Sequence, residues 1–475
     1  MVGRSANRPN AGYKGAGHVR VGMEKMNGGR MRSALIAGLW LCAALGCQGQ
    51  SNDAGQTKQD PAPVRPSISR DAGRSIEDLN YVGGEAAMPP FSDSLIDIDS
   101  GFRQGLFRNG MAFRTIVQPQ YSQNVLAAPV APDEQVYVGQ REFFGAMIQP
   151  IFTADLRQLG LRNAQLCAGA VWNWASWRPA GPKALQLWNL YLYKAFGEDR
   201  LEIKAGYVAN NMNFVGFFVG GSTATGAQGV YAVLPYEAGL SYFPLTAPSF
   251  NARIRGPKGT YLKPTAQRSM DPEGGPTEVA RNHTGFRFDP HGDRLVTITE
   301  GGYQREASDR AHQAWFRAGY IYNWTAYPNL VTGKAETGNH CAYALMDYQV
   351  FRSSEEHPGQ GWYAGGSYMT VPQSVNAYAR YYEVRTYEKA PFHSRPGDVL
   401  SAVASRTNYS SPYTNKLVAE GKTVWRSGTT LTGSYSLRAS RGEYISLGLG
   451  YSNGPAITPR VGSALNVLAT WSLFF

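Results

Sequence analysis

The sequence predicts an all-β chain, a transmembrane antiparallel β-barrel of about 16 strands. Composition gives the first indication. Only 17% of the 475 residues are charged, below the ~25% of a soluble domain, while Gly (54) and Tyr (28) are abundant. Hydropathy gives the second: its mean is −0.34 and no run of 18 apolar residues occurs, which excludes helical membrane spans. The third is a period of two that recurs along most of the chain, with apolar and polar residues facing opposite ways.

That period is clearest at the C-terminus. Leu465, Val467, Ala469, Trp471, Leu473 and Phe475 form one apolar face, against the mixed and mostly small or polar Ala464, Asn466, Leu468, Thr470, Ser472 and Phe474. A strand of ~9–11 residues with such a face crosses a bilayer, and its closing Phe475 has the form of the signal read by barrel-assembly machinery. Upstream, Leu201, Ile203, Ala205 and Tyr207 oppose Glu202 and Lys204, with Asn210 following on the polar side. Phe250, Ala252 and Ile254 oppose Asn251, Arg253 and Arg255, and Phe316 to Trp324 oppose Arg317 and Asn323. Leu431, Tyr435 and Leu437 oppose Thr432, Ser434 and Ser436, and Ile445 to Tyr451 oppose Ser446. Tyr and Trp gather near the run ends, where an interfacial girdle would lie. Turn signals separate the runs at Gly197-Glu198-Asp199, Pro290-His291-Gly292-Asp293, Ser440-Arg441-Gly442 and Asn453-Gly454-Pro455. Longer polar inserts are expected at Lys258–Arg281, Ala326–Asn339 and Ala404–Thr423.

Three regions follow: a leader over 1–47, a polar periplasmic linker over 48–96, and the barrel over 97–475. In the leader, Arg30 and Arg32 precede an apolar stretch from Ala34 to Gly46, the layout of a secretory signal, and Met31 is the better start. Ala44-Leu45-Gly46-Cys47 resembles a bacterial lipoprotein box, which makes Cys47 a lipidation candidate; ordinary signal-peptidase cleavage nearby is the alternative. Cys167 and Cys341 are expected to be isolated small hydrophobes. The linker QGQSNDAGQTKQDPAPVRP lacks periodicity and is expected to be irregular.

The net charge of +11 invites a nucleic-acid reading, but seven basic residues and one acid fall within the first 32 positions. What is left forms no basic stripe, so nucleic acid is not the expected partner. No Gly-x-Ser-x-Gly, dinucleotide loop or metal-ligand spacing occurs, so neither enzyme chemistry, metal nor cofactor is expected.

Several segments in order resemble the carbohydrate-selective porins of Gram-negative outer membranes, the OprB-like family. They are Ala184–Tyr193 with Arg200–Phe218, then His283–Phe288 with Leu295–Tyr303, Asp347–Phe351 with Arg395-Pro396-Gly397-Asp398, and Glu443–Phe475 with Ile457-Thr458-Pro459. The sequence departs from the family pattern at Asn124, which is followed by Val125-Leu126-Ala127 instead of an Asn-x-x-Gly-Gly stretch. The resemblance implies passive, substrate-selective diffusion of mono- or oligosaccharides through a 16-stranded barrel in the outer membrane, with a homotrimer as one assembly. Strand parity nominates Arg114, Glu202, Lys204, Asn210, Arg253, Arg255, Arg287, Glu300, Arg317 and Asp347 as lumen residues. Arginine and carboxylate facing across a narrow lumen supply a transverse field and many donors. These positions hold six cations against three acids, so a general or anion-preferring porin is the second reading. An outer-membrane barrel enzyme, a lipase or acyltransferase, is a weaker third.

Overall fold

The computed structural model describes residues 75–82, 88–126, 130–177, 185–215, 233–289 and 292–475. The leader, Cys47, and Pro290 and His291 of one expected turn lie outside the described residues. Sixteen strands follow in order: β1 Met111–Asn124, β2 Phe143–Asp155, β3 Ala164–Ala175, β4 Leu185–Phe196, β5 Leu201–Val208, β6 Ala247–Arg255, β7 Thr260–Arg268 and β8 Leu295–Arg305. They continue as β9 Ala314–Pro328, β10 Ala335–Arg352, β11 Gly361–Thr370, β12 Tyr378–Lys389, β13 Val399–Tyr409, β14 Ser427–Ser440, β15 Glu443–Asn453 and β16 Ala464–Phe474. Each is antiparallel to its sequence neighbours, and β16 closes on β1 from Ile116↔Phe474 to Asn124↔Asn466. Closure leaves no free sheet edge, the condition for a sheet to span lipid.

The side-chain pattern is inverted relative to a soluble core. On β12, Tyr381, Glu383, Arg385 and Tyr387 are buried, whereas Tyr382 is exposed and Val384 is 65% exposed. The same holds for Arg253 against Phe250 and Ile254, and for Arg317 against Phe316, Tyr320 and Trp324. Apolar side chains ring the outside, and the polar ones face inward among buried apolar clusters, as lipid outside and water inside require. Trp471 on β16 points outward as its parity predicts, while Ser472 and Phe474 point in.

Two of the expected long inserts need correction. Lys258–Arg281 contains β7, whose inward face carries Lys263, Thr265 and Gln267. Ala326–Asn339 is mostly strand, with only residues 329–334 joining β9 to β10. Ala404–Thr423 holds as an insert flanked by strand: β13 ends at Tyr409, and helix α4, Ser411–Ala419, follows before β14. In the first two, polar residues tolerated on a watery inner face had imitated loop composition. In the other direction, His283–Phe288 is not a strand; it belongs to the β7–β8 connection, after helix α3, Gly275–Arg281.

Two segments enter the barrel. The β5–β6 loop begins with a 3-10 turn, Asn210–Asn213, and returns through helix α2, Leu234–Glu237, all largely buried. At the opposite end, residues 75–82 and 88–96, assigned to the linker by sequence, pack against the barrel wall. Ser75 caps a 3-10 turn, Ile76–Leu79. The Leu79 carbonyl accepts from Thr153 Oγ1 at 2.6 Å, and the Val82 carbonyl accepts from Tyr191 Oη at 2.8 Å. Gln165 Oε1 accepts from the Val82 amide at 3.2 Å. Wall side chains thus satisfy a backbone that has no sheet partner of its own. Asp93 fixes the far side of this segment through Arg438 at 2.7 Å, the Gly442 amide at 2.9 Å and the Tyr444 hydroxyl. Helix α1, Gly101–Arg108, leads into β1.

Candidate functional site: a charged lumen around the β5–β6 loop

The lumen wall from β4 to β7 carries an open recess, lined among others by Tyr193, Glu202, Lys204, Asn213, Phe214, Arg253 and Lys263. Parity puts these side chains on one face: two-residue steps along β5, β6 and β7 return every second residue to the lumen. Glu202 lies between two arginines, 2.9 Å from Arg255 Nη2 and 3.8 Å from Arg253 Nε, and accepts from Tyr193 Oη at 2.9 Å. Arg253 also donates to Gln304 at 2.9 Å and lies over the Tyr261 ring at 4.4 Å.

Cations from three strands hold the start of the β5–β6 loop. Lys204 Nζ donates to Asn213 Oδ1 at 2.7 Å, Lys263 Nζ to the Asn213 carbonyl at 2.6 Å, and Arg317 Nη1 to the Phe214 carbonyl at 2.5 Å. Lys263 is paired on its other side with the fully buried Glu300 at 2.7 Å, whose oxygens also accept from Tyr261 and Tyr343. Arg317 stacks on Trp315 at 3.7 Å. A second network spans β10 to β12: Arg385 reaches Asp347 at 2.7 Å and Glu383 at 2.5 Å, with Tyr387 donating to Asp347 at 3.2 Å.

Of the ten nominated positions, Glu202, Lys204 and Arg253 line the recess and Arg255 joins them through Glu202. Glu300 and Arg317 stand behind it as supports. Asn210 is completely buried and bonded to Gln267 and Asn213, so it shapes the loop instead of facing the lumen. Asp347 belongs to the separate Arg385 network. Arg114 is inward but covered by the N-terminal segment, over the Phe91 ring at 4.3 Å. Arg287 is the clear correction: it is exposed in the β7–β8 connection, because the strand its parity assumed is absent. Lys263, Glu383 and Arg385 were missed. Period-two reading of YLKPTAQ and YYEVRTYEK would have found them, had polar alternates not been taken for loop or left unread. Cys167 and Cys341 are buried free thiols, as expected. Among the described residues no group of His, Cys, Asp and Glu could hold a metal ion.

The free end of the β5–β6 loop docks through Glu237, whose carboxylate accepts from the Ala377 and Tyr378 amides at 3.0 and 3.2 Å. Burial raises this carboxyl from 4.5 to about 8, outweighing the pull of the two amides. The folded chain therefore holds a proton that the unfolded chain releases. The docking contribution is full below pH 4.5 and is lost as the pH rises through about 8. Hydrogen-exchange protection of residues 233–246, taken relative to the intrinsic base-catalysed rate at each pH, should fall over that window in the native protein, and Glu237→Gln should flatten the dependence. An unchanged pH profile in the variant would remove Glu237 as the cause.

A closed 16-strand barrel with an outward apolar face and an ion-lined lumen narrowed by an inward loop defines the porin class, a channel rather than an enzyme. The model of the carbohydrate-selective porin, OprB family, matches residues 118–445, more than half of the chain, and the chain belongs to that family. Among solved structures, OprB of Pseudomonas putida at high pH is similar with a TM-score of 0.68 at 13% identity, over 81% of this chain and 98% of that one. The low-pH structure of the same protein gives 0.50 at 12% identity, over 81% of this chain and 99% of that one. At such identities these likenesses bear on the fold alone. A search of the curated proteins found no match.

Proposed function

We propose that this chain is an outer-membrane porin through which neutral mono- or oligosaccharides diffuse passively and selectively. The observation that supports this reading most is the recess itself. It sets Glu202 and Tyr193 beside Arg253 and Arg255, with Lys204 and Asn213 adjacent, at the height where the β5–β6 loop narrows the lumen. A sugar leaving water needs many replacement hydrogen bonds, each weak enough to be released, and such a wall offers donors and acceptors together. The turn end, with short connections such as residues 197–200 and 441–442, then faces the periplasm and the end carrying the β5–β6 loop faces outward, with a cleaved leader, Cys47 the lipidation candidate and assembly led by the Phe475 strand.

A second reading, preference for anionic solutes, is favoured by the four cations of the recess region, Lys204, Arg253, Arg255 and Lys263, against the acids Glu202 and Glu300. Planar-bilayer recording on the purified full-length protein separates the two. Saturable current block by glucose or short glucans at millimolar concentration is the expected result. Conductance indifferent to neutral sugars, with strong anion selectivity, would overturn it in favour of the second reading.

A further inference from the structure

We propose that the lumen face of Trp188 is a stacking subsite for a pyranose ring, and that Tyr81 of the N-terminal segment occupies it as an intramolecular stand-in. The inference rests on the sugar reading above.

Three features of the wall build the platform. The β3–β4 register slips at this point, Gly169 facing Asn189 while Ala170 faces Leu187, so Trp188 is the extra residue of a β-bulge. Bulges re-aim a side chain, and this one turns an indole onto the wall. Gly169 supplies the slot: a Cβ there would come within 2.6 Å of Trp188 Cε3 and 3.0 Å of Asn189 Oδ1. Phe243, from the β5–β6 loop, closes one edge in a T-shaped contact at 6.5 Å. The remaining face carries the Tyr81 ring, stacked at 5.8 Å and 20°.

Polar groups surround the indole as a sugar site requires. Asn189 is 2% exposed, and among the described residues its Nδ2 has no hydrogen-bond partner. The Tyr191 hydroxyl donates to the Val82 carbonyl, and Lys204 Nζ lies 5.1 Å from the Tyr191 ring. A buried donor left unused next to a flat aromatic is costly in a lumen wall, and a ring hydroxyl answers it. Tyr81 offers what a pyranose offers, a flat apolar disc with a hydroxyl at its edge, on a segment that enters from the turn end. This segment lies before residue 118, where the family match begins.

Solute and segment therefore compete for one face, and removing the stand-in should favour the solute. The test is sugar block in planar bilayers with the full-length protein and its Tyr81→Ala, Tyr81→Phe and Tyr81→Ala/Trp188→Leu variants. Tyr81 lies outside the strand ladder, so barrel folding, checked by heat-modifiable gel mobility, should be unaffected. Tyr81→Ala should lower the half-blocking glucose concentration by roughly 3- to 10-fold, the worth of one aromatic stack. Tyr81→Phe should match the native protein, and the double variant should lose the gain. Sorbitol, an open-chain hexitol with one hydroxyl more and no ring face, should show no gain. Native-level block in Tyr81→Ala, a gain that survives Trp188→Leu, or an equal gain for sorbitol would overturn the subsite while leaving the sugar reading intact. Absence of sugar block in every variant would overturn that reading and the subsite with it.

Discussion

Replacing Arg385 by methionine is expected to destabilise the barrel by about 3–5 kcal/mol, because it strands two buried carboxylates at once. Asp347 and Glu383 lie 2.7 and 2.5 Å from this guanidinium, and neither it nor they are appreciably exposed. Ser367 and the Met346 carbonyl take its remaining donors at 2.8 and 3.0 Å. The Tyr381 and Tyr387 hydroxyls stay on the carboxylates but cannot neutralise them. Guanidinium unfolding in detergent micelles measures the loss. Replacing all three charges, Arg385→Met with Asp347→Asn and Glu383→Gln, should recover most of it, since no buried charge is then left unpaired. If the single substitution costs no more than the triple one, the network is not the unit described here.

The second large effect concerns conductance. Lys263 ties two things together, the β5–β6 loop through the Asn213 carbonyl and the wall through Glu300. Lys263→Met alone should cost stability because Glu300 has no exposure to water. Lys263→Met with Glu300→Gln spares the wall and removes only the hold on the loop, a charged hydrogen bond worth about 1.5–3 kcal/mol. Lys204 and Arg317 would still grip the loop start. Single-channel current through the double variant should therefore be larger and noisier than native, with weaker sugar block. A native-like trace would mean that the other two cations suffice.

The barrel was legible because its physics is periodic. A strand between lipid and water must alternate, so LEIKAGYV, SFNARIR and the run to Phe475 announce both the class and the side each residue faces. Glu202, Lys204, Arg253 and Arg255 followed from parity alone, and the structure puts all four at or beside one recess. Where parity was applied to a segment that is not a strand, it failed, as Arg287 shows. Where polarity was taken as a loop signal it failed in the opposite sense, hiding Lys263 on β7.

What the sequence determined by itself is therefore the closed sheet, its facing and the chemistry of its inner wall, all set by neighbours one or two residues apart. Tertiary structure alone decided which wall charges meet: Arg385 joins Asp347 across 38 residues, and Arg317 reaches Phe214 across 103. It also decided that two apparently irregular segments fold inward, one to narrow the lumen and one to cover Arg114 and Trp188. Neither segment has a periodic pattern, because each is held by side chains of strands distant in the chain and not by its own repeats.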